Sequence, residues 1–346
     1  MVLYLPMMNF KPKMFCFCAL LGTSIILDAQ DANFSQFYNN PIYTNPAYAG
    51  SAINAKDDEF ATRVGLAYRN QWPGLRGSYQ TVNANWDRHF NRLHGGLGGF
   101  VLNDVAGSGL LTSTSIGLIY APTFEINNKI TIRGGLQMAY VNRQLNFNRI
   151  GNADSVGNTV WQLNEPLPQQ GISFINVGAG LIAYMKQVHF GFAVHNINQP
   201  NQSFYNSVNG ILPRRYTLHA GGKINILKRQ SFASAITPAV LFMKQQMFTQ
   251  LNITTTANFG RILIGTGFRQ TFGRFGNSDA LIGILGYTSP RYQITYSYDA
   301  TVSSARPAAR ESHEITMNYF ISLKKNQPKL ELISPSYGWR TAIREK

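Results

Sequence analysis

Tyr292-Gln293-Ile294-Thr295-Tyr296-Ser297-Tyr298 alternates large apolar or aromatic side chains with small polar ones. A period of two describes a strand with one apolar and one polar face. The next such stretch sets Ile315, Met317, Tyr319 and Ile321 against Glu314, Thr316, Asn318 and Ser322. Upstream, Val188, Phe190, Phe192 and Val194 alternate with His189, Gly191, Ala193 and His195, and Ile130, Ile132, Leu136, Met138 and Tyr140 with Thr131, Arg133 and Gln137. The same reading predicts fourteen strands, near 61–70, 78–87, 93–102, 112–122, 129–140, 172–184, 187–196, 214–226, 231–243, 247–258, 261–269, 279–288, 291–299 and 312–323.

Alternation alone fits a soluble sandwich or a membrane barrel, and the connections separate them. Strands six and seven meet across Met185-Lys186, ten and eleven at Gly260, twelve and thirteen at Ser289-Pro290, and eight and nine across Leu227 to Gln230. These short links follow even-numbered strands, whereas the longest, 141–171, 197–213, 270–278 and 300–311, follow odd ones. Lys244 to Gln246 breaks the rule. Short turns at one end and long loops at the other are the pattern of an outer-membrane barrel. A lipid-spanning chain must satisfy every backbone group internally, which leaves helices and closed barrels; no mature stretch is an apolar run long enough for a spanning helix. The expected fold is therefore an all-β transmembrane antiparallel β-barrel of about fourteen strands spanning 61–323, with both termini periplasmic. Tyr140, Tyr184, Tyr287, Tyr292, Tyr298 and Phe320 are expected in the interfacial aromatic belts.

Ahead of the barrel, Lys11 and Lys13 followed by an apolar stretch from Met14 to Leu27 predict an export signal over 1–29, cleaved near Ala29 or Gln30. An uncleaved anchor helix is the alternative. Both cysteines, Cys16 and Cys18, fall in this leader, so the mature chain has no disulfide, thiol chemistry or Cys-based metal site. A mean hydropathy of −0.14 suits a barrel, in which only alternate strand residues face lipid. The net charge of +15 raises nucleic acid as a partner, but the cations sit in loops and at strand ends without a basic helical stripe. Anionic headgroups of outer-membrane lipid, an acidic partner or an anion-lined lumen are the readings kept.

Signatures of chemistry are missing. The histidines His89, His94, His189, His195, His219 and His313 form no dense ligand cluster, and there is no H-E-x-x-H. His219 and His313 lack a nucleophile motif such as G-x-S-x-G. Gly95-Gly96-Leu97-Gly98-Gly99 continues into a strand rather than a helix, which argues against a phosphate loop. No catalytic residue, cofactor or metal is assigned, and the chain is read as no enzyme. The many in-strand glycines, Gly96, Gly135 and Gly180 among them, suit tight curvature or a backbone approached by something inside the barrel.

Between leader and barrel, 30–60 is rich in Asn, Pro and Tyr and shows no strand alternation. Pro41 and Pro46 stiffen it, Gly50 allows a sharp turn, and its amides and aromatic rings offer hydrogen bonds and packing. It reads as a periplasmic or plug segment, with Phe34, Gln36, Tyr38, Asn45, Pro46 and Gly50 as contact residues. A plain periplasmic lead-in is the alternative. The tail, 324–346, is basic and expected in the periplasm.

Asp31-Ala32-Asn33-Phe34-Ser35-Gln36-Phe37-Tyr38 continuing to Asn45-Pro46-Ala47-Tyr48-Ala49-Gly50 resembles the opening of the PorP/SprF family, outer-membrane proteins of the type IX secretion system in Bacteroidetes. Tyr68-Arg69-Asn70-Gln71-Trp72 is similar to that family's Y-R-x-Q-W, and Ser312-His313-Glu314-Ile315 to its last strand. The resemblance implies a role in exporting or attaching surface proteins, including gliding adhesins. The implied partners are secreted cargo with a C-terminal sorting domain and periplasmic or peptidoglycan-linked secretion components. A porin or hydrophobic-solute transporter, with Arg133 and Lys223 favouring anions in the lumen, is the rival function.

Overall fold

The computed structural model describes residues 31–54, 59–75, 77–127, 130–146, 169–185, 187–205, 210–225, 235–272, 279–302 and 311–322. The leader, the basic tail and the centre of the longest connection lie outside the described residues.

Fourteen strands form the wall: β1 (Glu59–Gln71), β2 (Tyr79–Phe90), β3 (Gly95–Ala106), β4 (Leu111–Asn127), β5 (Ile130–Leu145), β6 (Gly171–Met185), β7 (Val188–His195), β8 (Arg215–Gly222), β9 (Ala235–Gln245), β10 (Phe248–Phe259), β11 (Ile262–Phe272), β12 (Ala280–Thr288), β13 (Tyr292–Thr301) and β14 (Glu311–Ser322). Each pairs antiparallel with its neighbours in sequence, and β14 pairs with β1 from Ser312↔Gln71 to Ser322↔Ala61, so the sheet closes. Closure removes the free edge that hydrocarbon cannot tolerate. A two-residue strand, Ile53–Asn54, turns the preceding chain onto the start of β1.

The predicted strands are all present. β4 and β5 run further toward the loop rim or the turn rim than alternation alone implied. The eighth strand, expected to be continuous, is interrupted at Lys223 and resumes as Ile224–Asn225. The gap lies opposite Thr237 and Pro238 of β9, and a proline has no N–H to give the ladder.

Side-chain direction follows the period. In β13 Gln293, Thr295, Ser297 and Asp299 are buried while Ile294, Tyr296 and Tyr298 are exposed. Leu66, Leu118, Leu136, Met138, Ile253 and Leu285 belong to the outward set. An apolar exterior around a polar interior is what a lipid-embedded barrel requires. Tyr287 and Tyr298 face outward as expected, but Tyr184 and Phe320 do not join the belts. Both occupy inward positions of their strands and are buried.

The interior is occupied by the chain itself. Ala32 to Ala52 runs inside the barrel as three short helical turns, Phe37–Asn39, Pro41–Thr44 and Pro46–Tyr48. Nearly all of its residues from Phe34 onward are buried. Two prolines stand at the first positions of the second and third turns, where a missing N–H costs nothing. Asn45, before Pro46, is extended at φ −153°, ψ 122° and its side chain caps Ala47 N–H at 2.9 Å. Asn40, before Pro41, is not extended, with ψ 56°, and makes no such cap.

The barrel's own ends, at Glu59 and Ser322, share the rim of short turns, as an even strand number dictates. The sequence reading put both chain termini at that rim. Among the described residues, the segment ahead of β1 runs back through the lumen toward the opposite rim. Ser35 bonds Arg69, Arg269, Asp299 and Glu314, all close to strand ends that open into the long connections, whereas Gly50 lies beside Asp87 and Gly96 near the short-turn rim.

Candidate functional site

The lumenal segment and the wall that grips it form the site. At its loop-rim end stands a cluster of two cations and two anions, Arg69, Arg269, Asp299 and Glu314, with Arg69, Asp299 and Glu314 all almost wholly buried. Arg69 bridges Asp299 at 2.9 Å and Glu314 at 3.1 Å, and Arg269 meets Asp299 at 2.9 Å. Formal charge balances within the cluster, the condition under which buried charges are tolerable. Ser35 sits at its centre. Its hydroxyl donates to Asp299 Oδ2 (2.6 Å) and accepts from Arg69 (2.6 Å) and Arg269 (3.0 Å), while its N–H donates to Glu314 Oε2 (2.7 Å).

Gln36 continues the contact along β13 and β14. Its N–H donates to Glu314 Oε1 at 3.1 Å, its amide nitrogen to Ser297 Oγ at 3.0 Å and to the Glu314 carbonyl at 3.1 Å, and its amide oxygen accepts from Thr316 at 2.7 Å. Asn39 donates to Thr316 Oγ1 at 3.1 Å, and Asn318 to the Asn39 carbonyl at 3.2 Å. Tyr38 and Phe37 pack against Leu241, Leu263, Ile282 and Ile284 of β9, β11 and β12. Phe34 lies edge-to-face on Tyr43 with centroids 5.2 Å apart, and Arg215 stacks over the Tyr43 ring at 4.9 Å.

The second anchor is Asn45. Its Nδ2 lies 3.2 Å from the carbonyls of Leu181 and Phe192 and 3.0 Å from Nε2 of His219. The Tyr48 hydroxyl is 3.0 Å from the other ring nitrogen of His219. Tyr48 also packs on Tyr184 and His189. Space beside His189 and His219 amounts to about 20 Å³, room for roughly one water. A larger hollow of about 420 Å³ opens at the loop rim between Gly109, Thr112, Gln144, Asn146 and Gln170.

At the short-turn rim the segment lies directly on wall glycines. A Cβ on Gly135 would stand 2.6 Å from Ala47 Cα, one on Gly96 2.7 Å from Gly50 Cα, and one on Gly180 2.9 Å from Asn45 Cγ. Only residues without a side chain let the backbones come this close. Gly50 itself adopts φ +70°. Its N–H donates to Asp87 Oδ2 at 2.7 Å, and Asp87 Oδ1 pairs with Arg63 Nε at 2.7 Å. Arg133 donates to the carbonyls of Ala47, at 3.1 Å, and Ala49.

The structure thus brings Phe34, Gln36, Tyr38, Asn45, Pro46 and Gly50 together inside the barrel. Sequence reasoning overlooked Ser35 and the charged residues that receive it. A signal was present: Arg69, Arg269, Asp299 and Glu314 all fall at inward positions of strands whose outward positions are largely apolar. His219 contacts Asn45 and Tyr48, and His313 lies 2.8 Å from the Tyr296 hydroxyl on the outer face. Among the described residues no group of three or more His, Cys, Asp or Glu is placed to hold a metal.

The family model for "Type IX secretion system membrane protein PorP/SprF" matches residues 26–319. The chain belongs to the PorP/SprF family. It is therefore a membrane component of that secretion system, and its closed barrel with an apolar belt fits the outer membrane. No curated protein matches the chain. Solved structures with a similar barrel include the toluene transporter TodX of Pseudomonas putida, at 10% identity and TM-score 0.47 over 82% of this chain and 94% of that one. Omp33 of Acinetobacter baumannii is 10% identical, with TM-score 0.43 over 75% of this chain and 98% of that one.

Proposed function

We propose that this PorP/SprF family member is a non-enzymatic outer-membrane accessory of type IX secretion. Its barrel serves as a rigid, plugged mount that assists export or surface attachment of cargo bearing a C-terminal sorting domain, gliding adhesins included. The short-turn rim and the basic tail face the periplasm and meet periplasmic or peptidoglycan-linked parts of the machine. The observation that carries this reading is the buried lumenal segment, whose hydrogen bonds reach strands on every side of the wall. A diffusion channel keeps its lumen open to solute, whereas here Arg133 is engaged by the segment's own carbonyls.

The test replaces Asn45 to Gly50 with a Gly-Ser stretch in the host and quantifies the secreted and surface proteome. The expected result is loss of one or a few sorting-domain proteins while the barrel remains inserted. An unchanged secretome with altered small-solute uptake would overturn the reading in favour of a porin or hydrophobic-solute transporter.

A further inference from the structure

The lumenal segment has a direction, and the direction has a consequence for topology. Its start, Ser35, is locked by Arg69 (two residues before the end of β1), Arg269 (three before the end of β11), Asp299 (two before the end of β13) and Glu314 (three after the start of β14). Those four strand ends open into 72–78, 273–279 and 302–310, the rim that also carries the two longest connections, 146–170 and 196–214. Asn33 reaches Gln250, close to the same rim on β10. The far end of the segment, Ala49-Gly50, is seated on Gly96 and Asp87, beside the turn at 91–94 on the opposite rim. From Ser35 to Gly50 the chain therefore crosses the barrel before β1 crosses it again.

We propose that the residues following the cleaved leader emerge at the outer rim, on the cell surface, among the long connections. β14 ends at the opposite, periplasmic rim, so the start of the lumenal segment and the end of the last strand lie at opposite faces of the membrane. This rests on the outer-membrane reading, with short turns in the periplasm.

The mature chain lacks cysteine, so single thiols report position cleanly. A Gly-Ser-Cys insertion between Gln30 and Asp31 is compared with Ser155→Cys, in the longest connection, and Lys129→Cys, in the short turn between β4 and β5. Intact cells and lysed cells are treated with a maleimide on a polymer too large to enter the periplasm, and labelling is read as a gel shift. Mass spectrometry of the purified barrel fixes where the mature chain begins. The expected result is that the insertion labels on intact cells to the extent of Ser155→Cys, while Lys129→Cys labels only after lysis. Labelling of the insertion only after lysis, labelling in neither native preparation, or retention of the leader overturns the proposal and leaves the barrel's orientation standing. If instead Lys129→Cys labels on intact cells and Ser155→Cys does not, the orientation itself falls.

Discussion

The two sides of the lumen hold the same segment by different means. On the side built from β3, β5, β6 and β7 the wall is bare: Gly96, Gly135, Gly180 and Gly191 let the backbone and the Asn45 amide of the segment lie against the sheet itself. On the side built from β13, β14 and β1 the wall is furnished, and Asp299, Glu314, Thr316 and Arg69 read individual donors and acceptors on Ser35, Gln36 and Asn39. The bare side specifies shape and the furnished side specifies chemistry. A change on the first acts by collision, one on the second by leaving a buried partner unpaired, and the two should be separable along the segment.

The largest effect belongs to the bare side. Gly135→Val puts a branched side chain where a single Cβ already meets Ala47 Cα at 2.6 Å, and backbone on both sides prevents relief. Hydrogen exchange of the purified barrel in detergent should show Ala47 to Gly50 losing protection while Ser35 and Gln36 keep theirs. Gly283, around which a Cβ meets nothing within 4 Å, is the control, and Gly283→Ala should leave exchange unchanged. Uniform loss along the whole segment would mean that the two sides act as one unit.

Next comes the furnished side. Glu314→Ala strips partners from the N–H groups of Ser35 and Gln36 and leaves the cluster with two arginines to one carboxylate. Breaking a buried ion pair by removing one member costs about 3–5 kcal/mol. The loss should appear as a lower midpoint of thermal unfolding, with exchange accelerated at 33–39 before 45–50. Glu314→Gln keeps the shape and one acceptor and should recover part of the loss. If both variants match the parent, the cluster contributes nothing to seating the segment.

The contrast also separates what the sequence revealed from what it concealed. Wall strands such as β13 were legible because lipid outside and polar groups inside enforce a strict alternation at Tyr292 to Tyr298. Lys223 shows where that signal fails: the break in β8 lies opposite Thr237 and Pro238 of the neighbouring strand, and pairing partners do not appear in local pattern. Tyr184 and Phe320 failed for a related reason. Nearness to a strand end suggested a belt, but parity decides the face, and theirs is inward. In the segment, Asn45 and Gly50 stood out by residue type, since few residues cap a turn or adopt positive φ. Ser35 did not, because its importance comes from four charges spread over four strands.

Asn45 joins the two kinds of contact, lying over Gly180 while donating to Leu181 and Phe192 carbonyls. Asn45→Ala removes these bonds, the cap on Ala47 and the contact with His219. Unmaking buried hydrogen bonds costs about 1–3 kcal/mol for a group left unsatisfied. Thermal unfolding in detergent should show a loss smaller than that of Glu314→Ala, because no charge is orphaned. An equal or larger loss would make the asparagine, not the ion cluster, the main lock.

The smallest expected effect tests how far the bare side depends on chemistry at all. With Asn45 Nδ2 donating to Nε2 of His219, the neutral ring carries its proton on Nδ1 and donates it to the Tyr48 hydroxyl at 3.0 Å. Tyr48→Phe keeps the ring on Tyr184 and His189 and removes only that acceptor. The orphaned N–H should cost about 1 kcal/mol, the low end for an unsatisfied buried donor. Pairing Tyr48→Phe with Asn45→Ala strips both ring nitrogens of His219 of partners from the segment. If the ring transmits between them, the double variant departs from the sum of the singles by about 0.5 kcal/mol or more. Strict additivity would mean that Asn45 and Tyr48 are held separately, each by its own patch of wall, and that fit rather than a shared hydrogen-bond network seats the segment on the glycine side.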